Sequence, residues 1–122
     1  MPAADVEFGR IAATVTVTDL PRALAFYTGV LGMRTTFQNG DPVGFAILER
    51  GAAELHLTAG RAHRASDRNV AHLMVSDAAA LYGHLVAAGV RIVKGLRDAD
   101  YGLRTFVFAD PDGNRIDVGE QL

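Results

Sequence analysis

Four titratable side chains are the residues of this chain best suited to chemistry. Glu54 and His56 are two positions apart in one strand-like run, and His72 and Asp117 lie in later runs of the same kind. Two imidazoles and one carboxylate can coordinate a divalent cation. The same groups can instead orient a bound molecule through hydrogen bonds. The choice between these interpretations depends on the elements that position the four side chains.

Composition and charge exclude several other classes of function. The chain has 122 residues and no cysteine, which excludes disulfides, thiolate ligands and a cysteine nucleophile. Twelve Lys and Arg residues against fourteen Asp and Glu residues give a net charge of −2. Because no basic face is visible and no apolar run could span a bilayer, we expect neither a nucleic-acid nor a membrane partner. The expected location is cytoplasmic, and no phosphate-binding glycine loop or nucleophile elbow is found.

The first half of the chain predicts one strand, one helix and three further strands. Residues 11–17 alternate with a period of two and are rich in β-branched side chains, which is typical of a half-buried strand. Asp19 and Pro21 are typical of a helix start, and Gly32 of a left-handed helix end. Strand-like runs follow at residues 34–38, 43–49 and 53–58, separated by turn sequences.

The same order of elements then repeats. A strand over residues 70–75 precedes a helix cap at Asp77, which lies 58 residues after Asp19, and Gly89 ends the helix 57 residues after Gly32. Strands at residues 91–94, 103–109 and 115–119 complete the second unit. We therefore predict a single α+β domain over residues 1–122. It has two βαβββ modules, at about residues 10–58 and 70–121, joined by a linker at 59–69.

One helix per module covers only one face of each four-stranded sheet. The opposite faces, completed by the second module or a second chain, can enclose a cleft. Since side chains alternate along a strand, Val15 and Val17 face the helix while their neighbours face the cleft. The residues predicted on the cleft side are Ala12, Thr14 and Thr16 on the first strand, Glu54, His56 and Thr58 on the fourth, Val70, His72 and Met74 on the fifth, and Arg115 and Asp117 on the last.

Four other polar residues are assigned away from the cleft. His63 in the linker and His84 on the second helix are expected to be solvated at the surface. Asp110 and Asp112 are expected mainly to build the turn between the last two strands.

Segments 19–27 (DLPRALAFY) and 30–33 (VLGM) in the first module, with 108–117 (FADPDGNRID) in the second, resemble the vicinal oxygen chelate superfamily. That group contains glyoxalase I, bleomycin resistance proteins, fosfomycin resistance enzymes and extradiol dioxygenases. The resemblance extends from about Arg10 to Gln121. It implies the glyoxalase/bleomycin resistance fold, with curved mixed sheets around a cleft, and a homodimer in which modules pair between chains.

Enzymes of that superfamily hold a divalent metal with four strand residues, commonly His or Glu. The resemblance places these positions at Ala12, His56, Val70 and Asp117, and an alanine and a valine cannot coordinate a cation. We therefore expect no metal and no other cofactor. A displaced site formed by His56, His72 and Asp117 is the alternative. Otherwise the two histidines are hydrogen-bonding residues of a pocket, of a buried pair or of a dimer interface.

The favoured interpretation is metal-independent binding and sequestration of a small, partly aromatic molecule such as an antibiotic, similar to bleomycin resistance proteins. Apolar walls supply affinity and a few polar groups orient the ligand. The carboxylates Glu49, Glu54 and Asp117 favour a cationic molecule. The aromatic candidates are Phe37, Phe45, Tyr101, Phe106 and Phe108, and the sequence does not show which side of their strand the last two occupy.

No residue is assigned to catalysis. The predicted ligand-binding residues are Thr14, Thr16, Phe45, Glu54, His56, His72, Met74, Tyr101, Arg104 and Asp117. The alternative function is that of a metal-dependent lyase, isomerase or dioxygenase using the displaced site. A third possibility is a domain whose dimerisation matters and whose cleft has no dedicated ligand.

Overall fold

The computed structural model describes residues 5–122 and contains the repeat as two βαβββ modules, which confirms the predicted fold class. The first module consists of β1 (Ala13–Val17), α1 (Leu20–Gly29), β2 (Arg34–Gly40), β3 (Val43–Arg50) and β4 (Ala53–Ala59). The second consists of β5 (Asn69–Met74), α2 (Ala78–Ala87), β6 (Ile92–Asp98), β7 (Leu103–Ala109) and β8 (Arg115–Gln121).

Each module folds into one mixed sheet, and the two sheets have the same topology. Sheet A has the strand order β1-β4-β3-β2 and sheet B the order β5-β8-β7-β6. The first strand of each module pairs in parallel with the last, and the other pairings are antiparallel. Thr14 is thereby paired with His56 in sheet A, and His72 with Asp117 in sheet B. Candidate site residues therefore occupy equivalent positions in the two modules.

Both helices begin and end at the predicted residues. Asp19 accepts a hydrogen bond from the backbone N–H of Arg22 at 3.1 Å, and Asp77 accepts one from Ala80 at 3.0 Å. These bonds satisfy N–H groups that have no partner inside the helix. Gly32 and Gly89 follow the helices with φ of 69° and 76°, a conformation that costs other residues about 1 kcal/mol or more.

The helix-covered faces of the two sheets share one hydrophobic core. Val15 and Val17 on β1 and Leu55 and Leu57 on β4 are buried, as the alternation predicts. Phe106 and Phe108 on β7 are also buried and belong to the same cluster. The core therefore joins the modules rather than dividing into two.

Within this core, the contact between Phe26 and Phe108 joins the two modules, and the contact between Phe106 and Tyr82 lies within the second module. The ring of Phe26 on α1 lies 6.3 Å from that of Phe108, and Phe106 packs edge-on against Tyr82 of α2 at 5.2 Å. Phe106 and Phe108 are thus core residues and not part of an aromatic cleft wall. Burial of each such side chain contributes roughly 1.5–3 kcal/mol to stability.

A group of polar residues also joins the modules, and we call Tyr27, Asp110, Asp112 and Asn114 the polar seam. Asp110 accepts hydrogen bonds from the Tyr27 hydroxyl at 2.8 Å and from the Asn114 side-chain amide at 2.9 Å. Asp112 accepts from both the hydroxyl and the backbone N–H of Thr18. The expectation that the two aspartates mainly build their turn was therefore incomplete, because they also bind the first module.

The linker is attached to the polar seam as well. His63 is half-buried, and its Nε2 lies 2.9 Å from the side-chain oxygen of Asn114. Since that oxygen can only accept, His63 donates this hydrogen bond. The prediction of a solvated His63 was wrong, and the reason is a partner 51 residues further along the chain. No helix within residues 5–122 is long and apolar enough to cross a membrane.

Candidate functional site

The helix-free face of sheet A carries the first group of predicted site residues. Glu54, His56 and Thr58 alternate on β4 with the buried Leu55 and Leu57. On the neighbouring β1, Thr14 is exposed and Thr16 is half-buried, with the same alternation. The prediction from strand alternation thus holds for these positions.

Glu54 and His56 form a bonded pair on this face. The Glu54 carboxylate lies 2.7 Å from Nε2 of His56, which therefore carries the proton of the bond. The side chain of His56 is 25% exposed and that of Glu54 is 21% exposed. A carboxylate that holds one imidazole nitrogen fixes the ring orientation and leaves the other nitrogen for a ligand.

Aromatic rings continue from His56 across sheet A. Phe45 of β3 lies edge-on to the His56 ring at a centroid distance of 5.5 Å, and Phe37 of β2 lies 6.4 Å from Phe45. We call Phe37, Phe45 and His56 the aromatic row. Phe37 remains 49% exposed, so the row presents apolar surface outside the core.

An arginine partly neutralises the acidic end of this face. Arg10 lies 3.2 Å from a carboxylate oxygen of Glu49 and 3.2 Å from one of Glu54. A hydrogen bond from Thr36 and the Arg10 guanidinium hold the pKa of Glu49 below its usual range. Arg10, Glu49 and Glu54 together keep one net negative charge. This face therefore favours a cationic ligand less strongly than the two carboxylates would without Arg10.

The helix-free face of sheet B carries the second group. His72 Nδ1 and the Asp117 carboxylate lie 2.5 Å apart, and His72 Nε2 lies 3.0 Å from the Met74 sulfur. Gly119 lies beneath them, and a Cβ at this position would approach His72 and Met74 within 3.3 Å. A side chain at this position would therefore force both residues to shift.

The two remaining predicted residues do not join these groups. Arg104 lies on the same face of β7 as Phe106 and pairs with Glu120, whose carboxylate accepts from the N-terminus of α2, so it lies on the helix-covered face of sheet B. Its guanidinium donates to Asp98 at 2.7 Å. Tyr101 is exposed in the turn before β7. Arg104, predicted to bind the ligand with the cleft residues, thus lies on the opposite face of sheet B from His72 and Asp117.

The Glu54–His56 and His72–Asp117 pairs stay separate. Across residues 5–122, no three His, Asp or Glu side chains come together as metal ligands would. The displaced site of His56, His72 and Asp117 is thus not assembled in this chain. His84 is exposed at the surface, as expected, and its Nε2 also donates to the carbonyl of Val30 at 2.8 Å, which connects α2 to the end of α1.

One cavity of the described chain is lined by neither histidine–carboxylate pair. It has a volume of about 620 Å³ and is bounded by the short turn between β3 and β4 and by the end of β5 and the start of α2. Met74 is the only predicted ligand-binding residue in its wall. The corresponding space between the β7–β8 turn and β1 is filled, because the turn at residues 110–114 is longer and its polar-seam residues bond to Thr16 and Thr18. Sequence reasoning missed this cavity because it depends on the unequal lengths of two distant turns.

Comparisons with solved structures show the same fold over nearly whole chains. A member of the glyoxalase/bleomycin resistance protein/dioxygenase superfamily from Sphaerobacter thermophilus DSM 20745 is 25% identical, with a TM-score of 0.80 over 95% of this chain and 98% of that one. The bleomycin-binding protein of Streptomyces verticillus, solved with copper(II)-bleomycin, is 24% identical, with a TM-score of 0.78 over 96% and 99% of the two chains.

An enzyme is among the similar structures too. Lactoylglutathione lyase from Agrobacterium tumefaciens is 19% identical, with a TM-score of 0.73 over 98% of this chain and 96% of that one. No curated protein matches the sequence. The family match covers residues 8–118, and the chain belongs to the Glyoxalase/Bleomycin resistance protein/Dioxygenase superfamily.

Proposed function

We propose that this protein binds and sequesters a small, partly aromatic molecule without covalent chemistry. The observation that carries the proposal is the continuous surface formed by the aromatic row and the Glu54–His56 pair. This surface combines exposed ring area with one oriented hydrogen-bonding group. Binding sites for small molecules typically combine these two properties.

The aromatic row supplies the affinity in this proposal. Phe37 and Phe45 can pack against a planar ligand, and such ring pairs contribute roughly 0.5–1.5 kcal/mol beyond the area they bury. The chain has no Trp, so phenylalanine and histidine rings are the available stacking surfaces on sheet A. His56, held by Glu54, supplies orientation through its free Nδ1.

A homodimer is part of the proposal, because each helix-free face is open in the single chain. Phe37 on sheet A and Met74 on sheet B are both 49% exposed, and His72 is 45% exposed at its side chain. A second copy can cover sheet A of one chain with sheet B of the other and so enclose a cleft. Such a cleft would also bring in Thr14, Thr16, His72, Met74 and Asp117, with Tyr101 at its edge.

The metal site of the family's enzymes does not fit this sequence. The corresponding positions are Ala12, His56, Val70 and Asp117, and two of these side chains have no donor atom. No reaction step through a metal is therefore derived. The bleomycin-binding relative supports a binding function, whereas the lyase shows that the fold also carries catalysis.

The proposal is tested by titration calorimetry with a panel of aromatic antibiotics that includes metal-free and copper(II)-bleomycin. For a compound that binds, Glu54→Gln, His56→Ala and Phe45→Ala should each weaken binding about ten- to a hundredfold, the effect of losing a charge-assisted bond or a ring contact. Arg61→Gln, in the linker, is the control. Unchanged binding in all three variants contradicts the proposal.

Metal analysis of the purified protein separates the enzyme alternative. A divalent metal near one per chain, lost in a His56→Ala, His72→Ala double variant, would favour the metal-dependent function. Divalent cations that shift the melting temperature of parent and double variant equally would count against it.

A further inference from the structure

A second cavity, of about 540 Å³, lies at the surface between the predicted linker and the start of β8. Three arginines line it: Arg64 from the linker, Arg91 from the segment before β6, and Arg115 from β8. They come from three separate segments of the chain, which has a net charge of −2. The fold therefore brings three positive charges together in a chain whose net charge is negative.

Two of these arginines have no protein partner in the described structure. The guanidinium groups of Arg64 and Arg91 make no hydrogen bond or ion pair with any side chain or carbonyl of residues 5–122. Arg115 donates to the backbone carbonyl of Asp67 at 3.2 Å, which connects β8 to the linker. That bond leaves most of its five N–H donors available.

The acidic residues of the cavity wall do not neutralise these charges. Asp112 is bonded to the hydroxyl of Thr18 and lies 3.1 Å from the guanidinium of Arg22, outside the arginine group. Asp67 forms no ion pair with an arginine within the described residues. Three guanidinium groups thus face one cavity with a single carboxylate that is free to offset them.

We propose that this cavity binds the phosphate group of a small organic phosphate monoester. Guanidinium groups bind phosphate oxygens in pairs, through N–H donors whose fixed spacing matches two oxygens of one phosphate. A volume of about 540 Å³ lies within the range of small-molecule pockets, so there is room for an organic part beside the phosphate.

The lining of this cavity includes no residue of the aromatic row or of the two histidine–carboxylate pairs, although Arg115 lies near Asp117. Arg115 and Asp117 share one face of β8 and are two residues apart, or roughly 6–7 Å. Arg64 and Arg91 lie outside both sheets, before β5 and β6. Variants of these two arginines therefore test the anion site without changing the aromatic row or either histidine–carboxylate pair.

The test is titration of the full chain with phenyl phosphate, followed by calorimetry and by ³¹P NMR at constant ionic strength. Benzoate and inorganic phosphate are the comparison ligands. Arg64→Gln and Arg91→Gln should each weaken phenyl phosphate binding about tenfold or more, since each removes a charged donor. Arg97→Gln, an exposed arginine of β6 outside the cavity, removes the same charge and should change the dissociation constant less than about twofold.

Each outcome of these titrations either supports the phosphate site or overturns it. Saturable binding that is lost in the two cavity variants and retained in Arg97→Gln supports it. It is overturned by equal weakening in Arg97→Gln, by benzoate binding as tightly as phenyl phosphate, or by no saturable binding at millimolar ligand. Tighter binding of a single-stranded oligonucleotide would also overturn it, because the ligand would then be a polymer. Glu54→Gln keeps phenyl phosphate binding if the two sites are separate, so this result distinguishes failure here from failure of the proposed function.

Discussion

The hydroxyl of Tyr27 donates a hydrogen bond of 2.8 Å to Asp110, which is 83 residues further along the chain. The bond is buried, and it connects α1 of the first module to the turn between the last two strands of the second. Asp110 also accepts from the side chain and backbone of Asn114, so its carboxylate is fully held by the protein. This contact joins the two modules beside their shared hydrophobic core.

Replacing Tyr27 by Phe should destabilise the protein by about 1–3 kcal/mol, because a buried carboxylate loses a donor while the ring contacts remain. Urea denaturation measures the change. Tyr82→Phe is the matched control, since the hydroxyl of Tyr82 makes no hydrogen bond within residues 5–122. Its effect should be below about 0.5 kcal/mol. Equal losses in the two variants would show that Asp110 does not depend on Tyr27.

The same residue predicts how stability changes at high pH. Burial, and then the neighbouring Asp110 carboxylate, raise the pKa of Tyr27 above its ordinary value of about 10. Above that pH the unfolded chain releases this proton and the folded chain keeps it, so the free energy of unfolding falls as pH rises. One proton corresponds to about 1.4 kcal/mol per pH unit.

Tyr27→Phe should therefore lose stability less steeply than the parent above about pH 10. The measurement is a series of denaturant titrations across the alkaline range, with phenolate absorbance recorded in parallel. Absorbance from Tyr27 should appear only as the protein unfolds. Parallel curves of unfolding free energy against pH for the parent and the variant would contradict the raised pKa of Tyr27.

The ion pair between Asp98 and Arg104 can be tested independently of any ligand. A hydrogen bond from Arg104 lowers the pKa of the exposed Asp98 carboxyl. In Arg104→Gln, the midpoint of the Asp98 titration, followed by carboxyl-carbon NMR, should rise towards the usual value for aspartate. Binding of a sheet A ligand should stay unchanged in this variant, because Arg104 lies on the helix-covered side of sheet B.

The proposed dimer gives a fourth prediction. Light scattering at micromolar concentration should report twice the chain mass, and Met74→Lys should shift the protein towards the monomer by placing a charge on an open sheet face. Val86→Lys is the control, because Val86 is 50% exposed on α2 and Met74 is 49% exposed. A monomeric parent protein would contradict the shared cleft.

Local chemistry explains why so much of the fold is predictable from the sequence. Asp19 and Asp77 cap helices through neighbours three residues away, and Gly32 and Gly89 adopt conformations that only glycine adopts freely. Strand β6 extends to Asp98 instead of the predicted residue 94, because register shifts on either side of Lys94 break its alternation. The orientation of Phe106 and Phe108 was not predictable, since β7 is largely buried on both faces and loses the period-two signal.

The candidate site was predictable only where alternation is clear. Glu54, His56, His72 and Asp117 lie on the expected faces because aliphatic residues that pack on the core flank them, buried on β4 and β8 and half-buried on β5. The bonds of Asp110 and Asn114 were not predictable, because their partners belong to segments distant in the chain. The arginine cavity was missed for the same reason.

The core shared by the two modules has a consequence for protein engineering. A chain cut within residues 59–69 would leave Phe108 without Phe26 and Asp110 without Tyr27, so each fragment would expose part of its own core. Neither fragment has a complete hydrophobic interior by itself. The two pieces should therefore fold on recombination, and this chain is a natural candidate for a split reporter based on fragment complementation.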